Sequence, residues 1–487
     1  MAPRGKSFRL DDSVPLPVDT IILEPGRAPQ PKGRSARSAL PRLARRGQDS
    51  PANDRNIVAS GDGEMAGKLL AVSAARASYL VLDADLRPSF ELLLAGGSLR
   101  QALQVAKRTF PRDGRARLRN LLTDVELMGF YEHATPREDV PSGACLQFYV
   151  TNGCNLRCRH CYMSSGPARS THELNPQERL RVIELFARVH PGGMVTLTGG
   201  EPLTCPDIFS LVDHAFACGL KVQLFTNGLL LDAATLARLV DHVHLLQISL
   251  DGATAATHDA LRGRGTFRGV LQALRLMDRA SAAHRHLDYR IAVTVSRSNQ
   301  ASLAANLPRL LKRLGLKGRF TVAIGGLSRV GRAATHPGLF SSHDETTTAQ
   351  LGLVDRLAQA SVYQIRLPPG NVFTRTCGFG AVITVAADGG LYPCSIIEQP
   401  PLGNIRDANA EQVMAALRAG MEATAVDRIS GCAPCPIRYL CGGLCRITNF
   451  HKTGSYTTSA CTEDYQKHKI RALMRTFQSI RVLAGLA

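Results

Sequence analysis

Cys154, Cys158 and Cys161 stand in a CxxxCxxC spacing within TNGCNLRCRHCYM, directly after the apolar run Leu146 to Val150. Three thiolates on one short loop make a metal site. Cysteine thiolates hold iron–sulfur clusters, and a 4Fe–4S cubane has four irons, so three ligands leave one iron open to a small molecule. The alternative is a structural zinc loop, which usually brings four ligands in two pairs. Seven more cysteines gather in the C-terminal third, at Cys377, Cys394, Cys432, Cys435, Cys441, Cys445 and Cys461. Seven thiolates exceed one four-coordinate site, although their CxxC elements leave a pair of zinc sites open. The remaining Cys145, Cys205 and Cys218 lie beside or within apolar segments and read as buried thiols.

The chain of 487 residues has room for about three domains of roughly 150 residues each. No apolar run approaches the roughly 20 residues that span a bilayer, and the N-terminal MAPRGKSFRLDDS lacks the apolar core of a signal peptide. The expectation is a soluble cytoplasmic protein, in which thiols stay reduced and clustered cysteines point to metal or redox work. A formal charge of +19 favours acidic partners. Arg27, Lys32, Arg34, Arg37, Arg42, Arg45 and Arg46 form a basic run without an intervening acid. No aromatic residues are interleaved for base stacking, which disfavours single-stranded nucleic acid and leaves a solvated tail, or one that attracts an acidic peptide or an electron donor.

Residues 1–64 are rich in Pro, Arg, Gly and Ser, show no sustained apolar period, and are expected to form a disordered basic tail. Residues 65–135 open with two strand candidates, KLLAVSA and SYLVLDA. Three helices should follow: Arg87 to Leu94, stopped by Gly96 and Gly97; a second begun by a Ser98/Gln101 capping box; and a third carrying Leu118, Leu121, Leu122, Val125 and Met128 on one face. Over residues 140–340 strand-like and helix-like segments alternate, implying parallel strands with helical crossovers. The strand candidates are Leu146 to Val150, Met194 to Leu197, Lys221 to Phe225, Leu245 to Ser249, Tyr289 to Val295 and Arg319 to Ile324. Residues 341–368 read as a linker helix, 369–470 as a cysteine-rich domain turning a hairpin at Asp388-Gly389, and 471–487 as a C-terminal helix.

In parallel barrels active sites form at the carboxyl ends of strands, and the odd motifs fall there. The cysteine loop follows the first strand, Gly199-Gly200-Glu201-Pro202 the second, Thr226-Asn227-Gly228 the third and Ser249-Leu250-Asp251-Gly252 the fourth. Asn-Gly and Asp-Gly are common turn dipeptides, but turn chemistry does not explain this succession behind a cysteine loop. The set resembles the radical S-adenosylmethionine (SAM) superfamily, whose pattern is CxxxCx(aromatic)C, with His160 in the aromatic place. The resemblance implies an α/β fold, a partial (β/α)6 TIM-like barrel. It also implies that SAM chelates the open iron and is cleaved to a 5′-deoxyadenosyl radical. Gly199, Gly200, Glu201 and Pro202 would meet the amino group of SAM, and Ser249 and Asp251 its ribose. Arg262 would pair with its carboxylate or else be a solvent-exposed structural arginine.

The later cysteines resemble the SPASM domain, which carries two auxiliary 4Fe–4S clusters. By that resemblance Cys377, Cys394 and Cys445 would hold the first, its fourth iron open or filled by a non-cysteine ligand since an eighth cysteine is missing, and Cys432, Cys435, Cys441 and Cys461 the second. Residues 65–135 are similar to a winged-helix, PqqD-like (pyrroloquinoline quinone peptide chaperone) α+β domain, where a leader peptide adds as a strand to a sheet edge. The three parts together resemble maturases that crosslink or oxidise side chains of a ribosomally made precursor peptide. The electron donor would be a flavodoxin or ferredoxin. Alternatives are sulfatase-maturase-like oxidation of a protein residue and a non-catalytic, metal-stapled nucleic-acid-binding protein. No general acid or base is assigned.

Overall fold

A computed structural model describes residues 10–14, 16–17, 19–23, 66–131, 137–138, 145–168, 170, 172–360, 372–397 and 399–486. The basic run from Arg27 to Arg46 lies outside the described residues. Part of the segment expected to be a disordered tail is built into the fold. Strand β1, Thr20–Leu23, pairs antiparallel with β2, Lys68–Ser73, which pairs in turn with β3, Ser78–Asp83. Val14, Leu16 and Leu23 are buried, so this short apolar stretch is held by burial against a sheet that lies far along the chain.

Helices α1, Arg87–Leu94, α2, Leu99–Thr109, and α3, Gly114–Met128, cover that sheet. The capping box at Ser98 and Gln101 forms reciprocally, satisfying two orphan N–H groups at the start of α2. Gly129 closes α3 in the left-handed conformation, φ 59°.

Strand β4, Arg137–Glu138, leads to the barrel. Its elements run β5 (Cys145–Thr151), α4 (Pro176–Val189), β6 (Met194–Gly199), α5 (Ile208–Ala217), β7 (Lys221–Thr226), α6 (Ala233–Ala237), β8 (Val243–Ser249), α7 (Ala255–Arg262), α8 (Thr266–Ala283), β9 (Asp288–Val295), α9 (Gln300–Leu314) and β10 (Phe320–Gly326). All six strands from β5 to β10 are parallel neighbours in chain order. The reason is the apolar patterning: Leu146, Phe148, Val195, Leu197, Val222, Leu224, Leu246, Ile248, Ile291 and Val293 fill one core under the helices.

The barrel stays open. After α10, His343–Gln359, strand β11, Val372–Phe373, pairs with β4, and β12, Val382–Val385, pairs parallel with β5. Strands β13, Gly390–Tyr392, and β14, Gly403–Asn404, extend the same sheet to nine strands. The hairpin turn falls at Asp388-Gly389, where Gly389 has φ 88°. Helices α11, Ala410–Ala423, α12, Arg438–Cys441, α13, Arg446–Thr453, and α14, Glu463–Leu483, complete the chain. Helix α14 therefore starts earlier than the 471–487 expected from sequence, because Thr462 caps it by accepting the N–H of Tyr465.

Helix α14 also places Ile470, Met474 and Phe477 in the N-terminal core beside Leu118, Leu121 and Val125. The N-terminal unit is thus sealed by the last helix of the chain. No helix among the described residues is long and apolar enough to cross a membrane. Phe477→Ala should lower stability by about 3 to 5 kcal/mol, seen as an earlier urea midpoint; an unchanged midpoint would contradict this packing.

Candidate active site

The cysteine loop leaves β5 at Thr151 and is held by backbone contacts on both sides. Gly200 N–H donates to Thr151 O at 2.8 Å and Glu201 N–H to Gly153 O at 2.8 Å. A Cβ at Gly199 would stand 2.3 Å from Thr151 O, and one at Gly200 2.1 Å from Gly153 O. The glycine pair is required because main chain lies on main chain. The close approach expected toward a ligand is made here toward the cysteine loop itself.

A second clamp comes from beyond β10. Arg332 donates its own N–H to Cys161 O at 2.9 Å, Nη1 to Cys158 O at 2.8 Å, and Nη2 to Ser164 O and Ser165 O at 2.9 and 2.5 Å. Gly331, φ 59°, lies against Tyr162 O, which a Cβ would approach to 2.2 Å. Sequence reading missed both residues, since one arginine among many carries no motif. At the loop's start Glu173 accepts Thr151 Oγ1 at 3.0 Å and Asn152 N–H at 2.8 Å. Arg179, at the base, donates to Val150 O and to Asp207 at 3.1 and 2.9 Å.

Asp251 is the buried hub behind the loop. Fully inaccessible, it accepts Arg262 Nε at 2.5 Å, His160 Nε2 at 2.9 Å and Thr294 N–H at 2.8 Å. Burial opposes its charge, but Arg262 and then His160 outweigh that and hold its pKa far below the usual carboxylate range. Arg262 is thus half-buried and paired with Asp251 rather than solvent-exposed, its side chain 12% accessible. Ser249 ends β8 half-buried, two residues before the hub.

Glu201 has no accessible surface and is bound by the protein: Oε1 accepts Leu203 N–H at 3.1 Å and Thr226 Oγ1 at 2.8 Å, and Oε2 accepts Asn227 N–H at 2.7 Å. Burial pushes its pKa up to about 7, against those hydrogen bonds. It ties the turn after β6 to the end of β7, with Pro202 opening a short turn of 3-10 helix beside it. Asn227 in turn donates Nδ2 to Asn155 Oδ1 at 2.7 Å, next to Cys154.

Burial pushes the Cys154 thiol up to about 11, with Glu201, Cys158 and Cys161 adding to the rise, and burial raises Cys158 as well. A thiolate is costly here until a cation neutralises it, which suits metal ligands. No three His, Cys, Asp or Glu side chains among the described residues converge as a single ion would require, whereas cubane ligands each take their own iron. Two buried polar atoms beside the loop, Asn152 Oδ1 and His160 Nδ1, have no hydrogen-bond partner. With the proton on Nε2 facing Asp251, Nδ1 is an acceptor in the neutral ring. The residues therefore fit an iron–sulfur cluster with a small polar ligand beside it.

The later cysteines fall into two groups. Burial raises the Cys394 thiol, and Cys377 and Cys445 raise it further. Cys432, Cys435, Cys441 and Cys461 line one small cavity, where burial and the neighbouring thiols lift Cys435 to about 11 and Cys461 to about 12. Cys205 is buried, and Cys145 and Cys218 are half-buried. Tyr149, on β5, joins the two regions: its hydroxyl donates to Ser395 O at 2.7 Å and lies 3.3 Å from that of Tyr162.

Residues 148–282 match the family model described as the Radical SAM superfamily. The mycofactocin maturase MftC of Mycobacterium tuberculosis is 30% identical over 351 residues, which cover 68% of this chain and 85% of that protein. An AdoMet-dependent heme synthase of Methanosarcina barkeri is 35% identical over 168 residues, 34% of this chain and 46% of that protein. In fold, the chain is similar to SuiB of Streptococcus suis, solved with S-adenosylmethionine, at a TM-score of 0.51 and 14% identity over 81% of this chain and 96% of that one. The chain belongs to the radical SAM superfamily. With that membership come SAM and one 4Fe–4S cluster as cofactors.

Arg332→Ala removes charge-assisted bonds worth about 2 kcal/mol or more to the loop. Amide hydrogen exchange across residues 154–166 should accelerate by about 30-fold; unchanged protection would show that the clamp does not hold the loop. Gly200→Ala should be worse, yielding little folded protein on expression, since the blocking atom is backbone.

Proposed function

We propose that this chain is a radical SAM maturase that oxidises or crosslinks side chains of a ribosomally made precursor peptide. The observation that carries the reading is its 30% identity to a mycofactocin maturase over most of both chains. Cys154, Cys158 and Cys161 hold the cluster that binds SAM. Cys377, Cys394 and Cys445 hold a first auxiliary cluster, and Cys432, Cys435, Cys441 and Cys461 a second. When bound, SAM and its cluster supply a 5′-deoxyadenosyl radical for hydrogen abstraction, and auxiliary clusters supply an acceptor for the second electron that a crosslink or desaturation releases.

The chain's own residues do the positioning. Asp251 fixes His160 and Arg262 behind the loop and leaves the unpartnered Nδ1 of His160 available for a hydrogen bond with SAM. Gly199, Gly200, Glu201 and Pro202 shape the wall beside Cys154, and Ser249 lies on the ribose side. The sheet of β1 to β3, in residues 65–135 and the recruited β1, is the peptide-recognition domain. Of the two edge strands, β3 is buried whereas β1 is half-buried along Thr20 to Ile22 and has no strand partner on its outer side among the described residues, and a leader added there would gain main-chain hydrogen bonds. A flavodoxin or ferredoxin supplies the electron, and the protein works in the cytoplasm.

The test is anaerobic reconstitution with iron and sulfide analysis and an assay for reductive SAM cleavage, on the wild type and on Cys154→Ala/Cys158→Ala/Cys161→Ala. About twelve irons per chain are expected for three four-iron clusters, falling to about eight in the variant. 5′-Deoxyadenosine should form only with the wild type. Stoichiometric zinc without SAM cleavage would overturn the reading.

A further inference from the structure

A cavity of about 700 Å³ opens between the carboxyl ends of β9 and β10, at Val295 and Gly326, and the C-terminal domain, where it reaches Cys445. That volume lies in the upper part of the roughly 300–1,000 Å³ range of ligand pockets and has room for a few residues of a peptide. Its wall is of one sign. Arg329, Lys452 and Lys469 are its charged residues, His343, His451 and His468 lie between them, and no carboxylate lines it among the described residues. Asp344, the acid nearest to this wall on α10, is taken by His468 and Arg471. Arg329 lies over the Phe340 ring at 4.1 Å and Lys469 over Tyr465 at 5.4 Å, and both face the cavity with these rings as their recorded partners among the described residues.

The cations act on a common space. Burial lowers the pKa of His343, and Lys469, Lys452 and Arg329 lower it further, in that order. Arg329 also stands three residues before Arg332, the clamp on the cysteine loop. The cationic wall therefore begins beside the radical site and ends at a cysteine of the first auxiliary group.

We propose that this cavity selects a substrate segment bearing carboxylates, with Arg329 and Lys452 as specificity residues that draw an acidic peptide between the SAM site and Cys445. The inference rests on the peptide-maturase reading and deepens it. Cations in a partly enclosed wall focus field lines and favour anionic ligands far more than the same charges spread over a surface. A leader bound elsewhere on the chain would then deliver a core segment whose acidic side chains or C-terminal carboxylate set its register in the cavity.

The probes are two fluorescein-labelled peptides, Gly-Ala-Glu-Ala-Glu-Ala-Gly and its Gln counterpart, read by anisotropy on reconstituted, SAM-loaded protein at physiological ionic strength. Wild type should bind the Glu peptide about 10-fold tighter than the Gln peptide. That preference should fall to about 2-fold in Arg329→Gln/Lys452→Gln and persist in Arg309→Gln/Arg313→Gln, which removes the same charge from exposed positions on α9. Lys452→Gln alone, exposed at the end of α13, should weaken the Glu peptide by about 3-fold and keeps the test readable if the double variant misfolds. Equal affinity of wild type for both peptides, or equal loss in the α9 control, overturns the inference. So does displacement of the Glu peptide by oligothymidylate, which would give the cavity to nucleic acid. Failure of charge selection leaves SAM cleavage intact, whereas failure of the maturase reading appears as absent 5′-deoxyadenosine, so the two are distinguishable.

Discussion

Main chain lying on main chain is the constraint on which the rest depends. Gly199 and Gly200 place the turn after β6 directly on Thr151 and Gly153. A loop bearing three cysteines has no regular structure to hold it, and a cluster demands that its thiols keep fixed positions. Contact with a neighbouring strand end, made close by the absence of two Cβ atoms, provides that rigidity. Arg332 adds the other side of the clamp by donating to carbonyls that no helix or sheet would satisfy.

Charged residues around the loop serve the scaffold as well as any ligand. Glu201 and Asp251 are both inaccessible, yet their environments push them apart: burial prevails at Glu201, whereas at Asp251 burial is the largest single effect but is outweighed by Arg262 and His160 together. An ionised Asp251 fixes the side chains that face the cysteines, and removing either partner would leave a buried charge uncompensated. The same economy joins the domains. Strand β12 continues the sheet from β5, so the hairpin that leads to Cys394 is a direct neighbour of the strand that leads to Cys154. Arg406 reaches back to Glu178 at the start of α4, at 2.6 Å, and fixes that registry from the outside.

Much of this was legible in the residues. The strand starts expected from sequence lie within two residues of those observed, because parallel strands buried on both faces read as apolar runs, and the Ser98/Gln101 capping box formed as read because it needs only local geometry. The turn at Asp388-Gly389 was equally local. Strand β1 was not legible: TIIL is too short to stand out within a Pro- and Arg-rich stretch, and its partner β2 lies far along the chain. Arg332 and Arg262 look alike in sequence, as two arginines among many.

What the sequence by itself determined is the chemistry on offer: three thiols in one loop, seven more behind them, and glycines at strand ends. These are matters of residue type and short spacing, which the chain specifies without folding. Tertiary structure alone decided that Glu201 and Asp251 are satisfied by the protein, that Arg262 is held against Asp251, that α14 seals the N-terminal core, and that cations from the β10 end, α13 and α14 face one cavity. Each of these depends on burial and on partners distant in sequence. The field and the dielectric at a side chain exist only once those partners have been brought together.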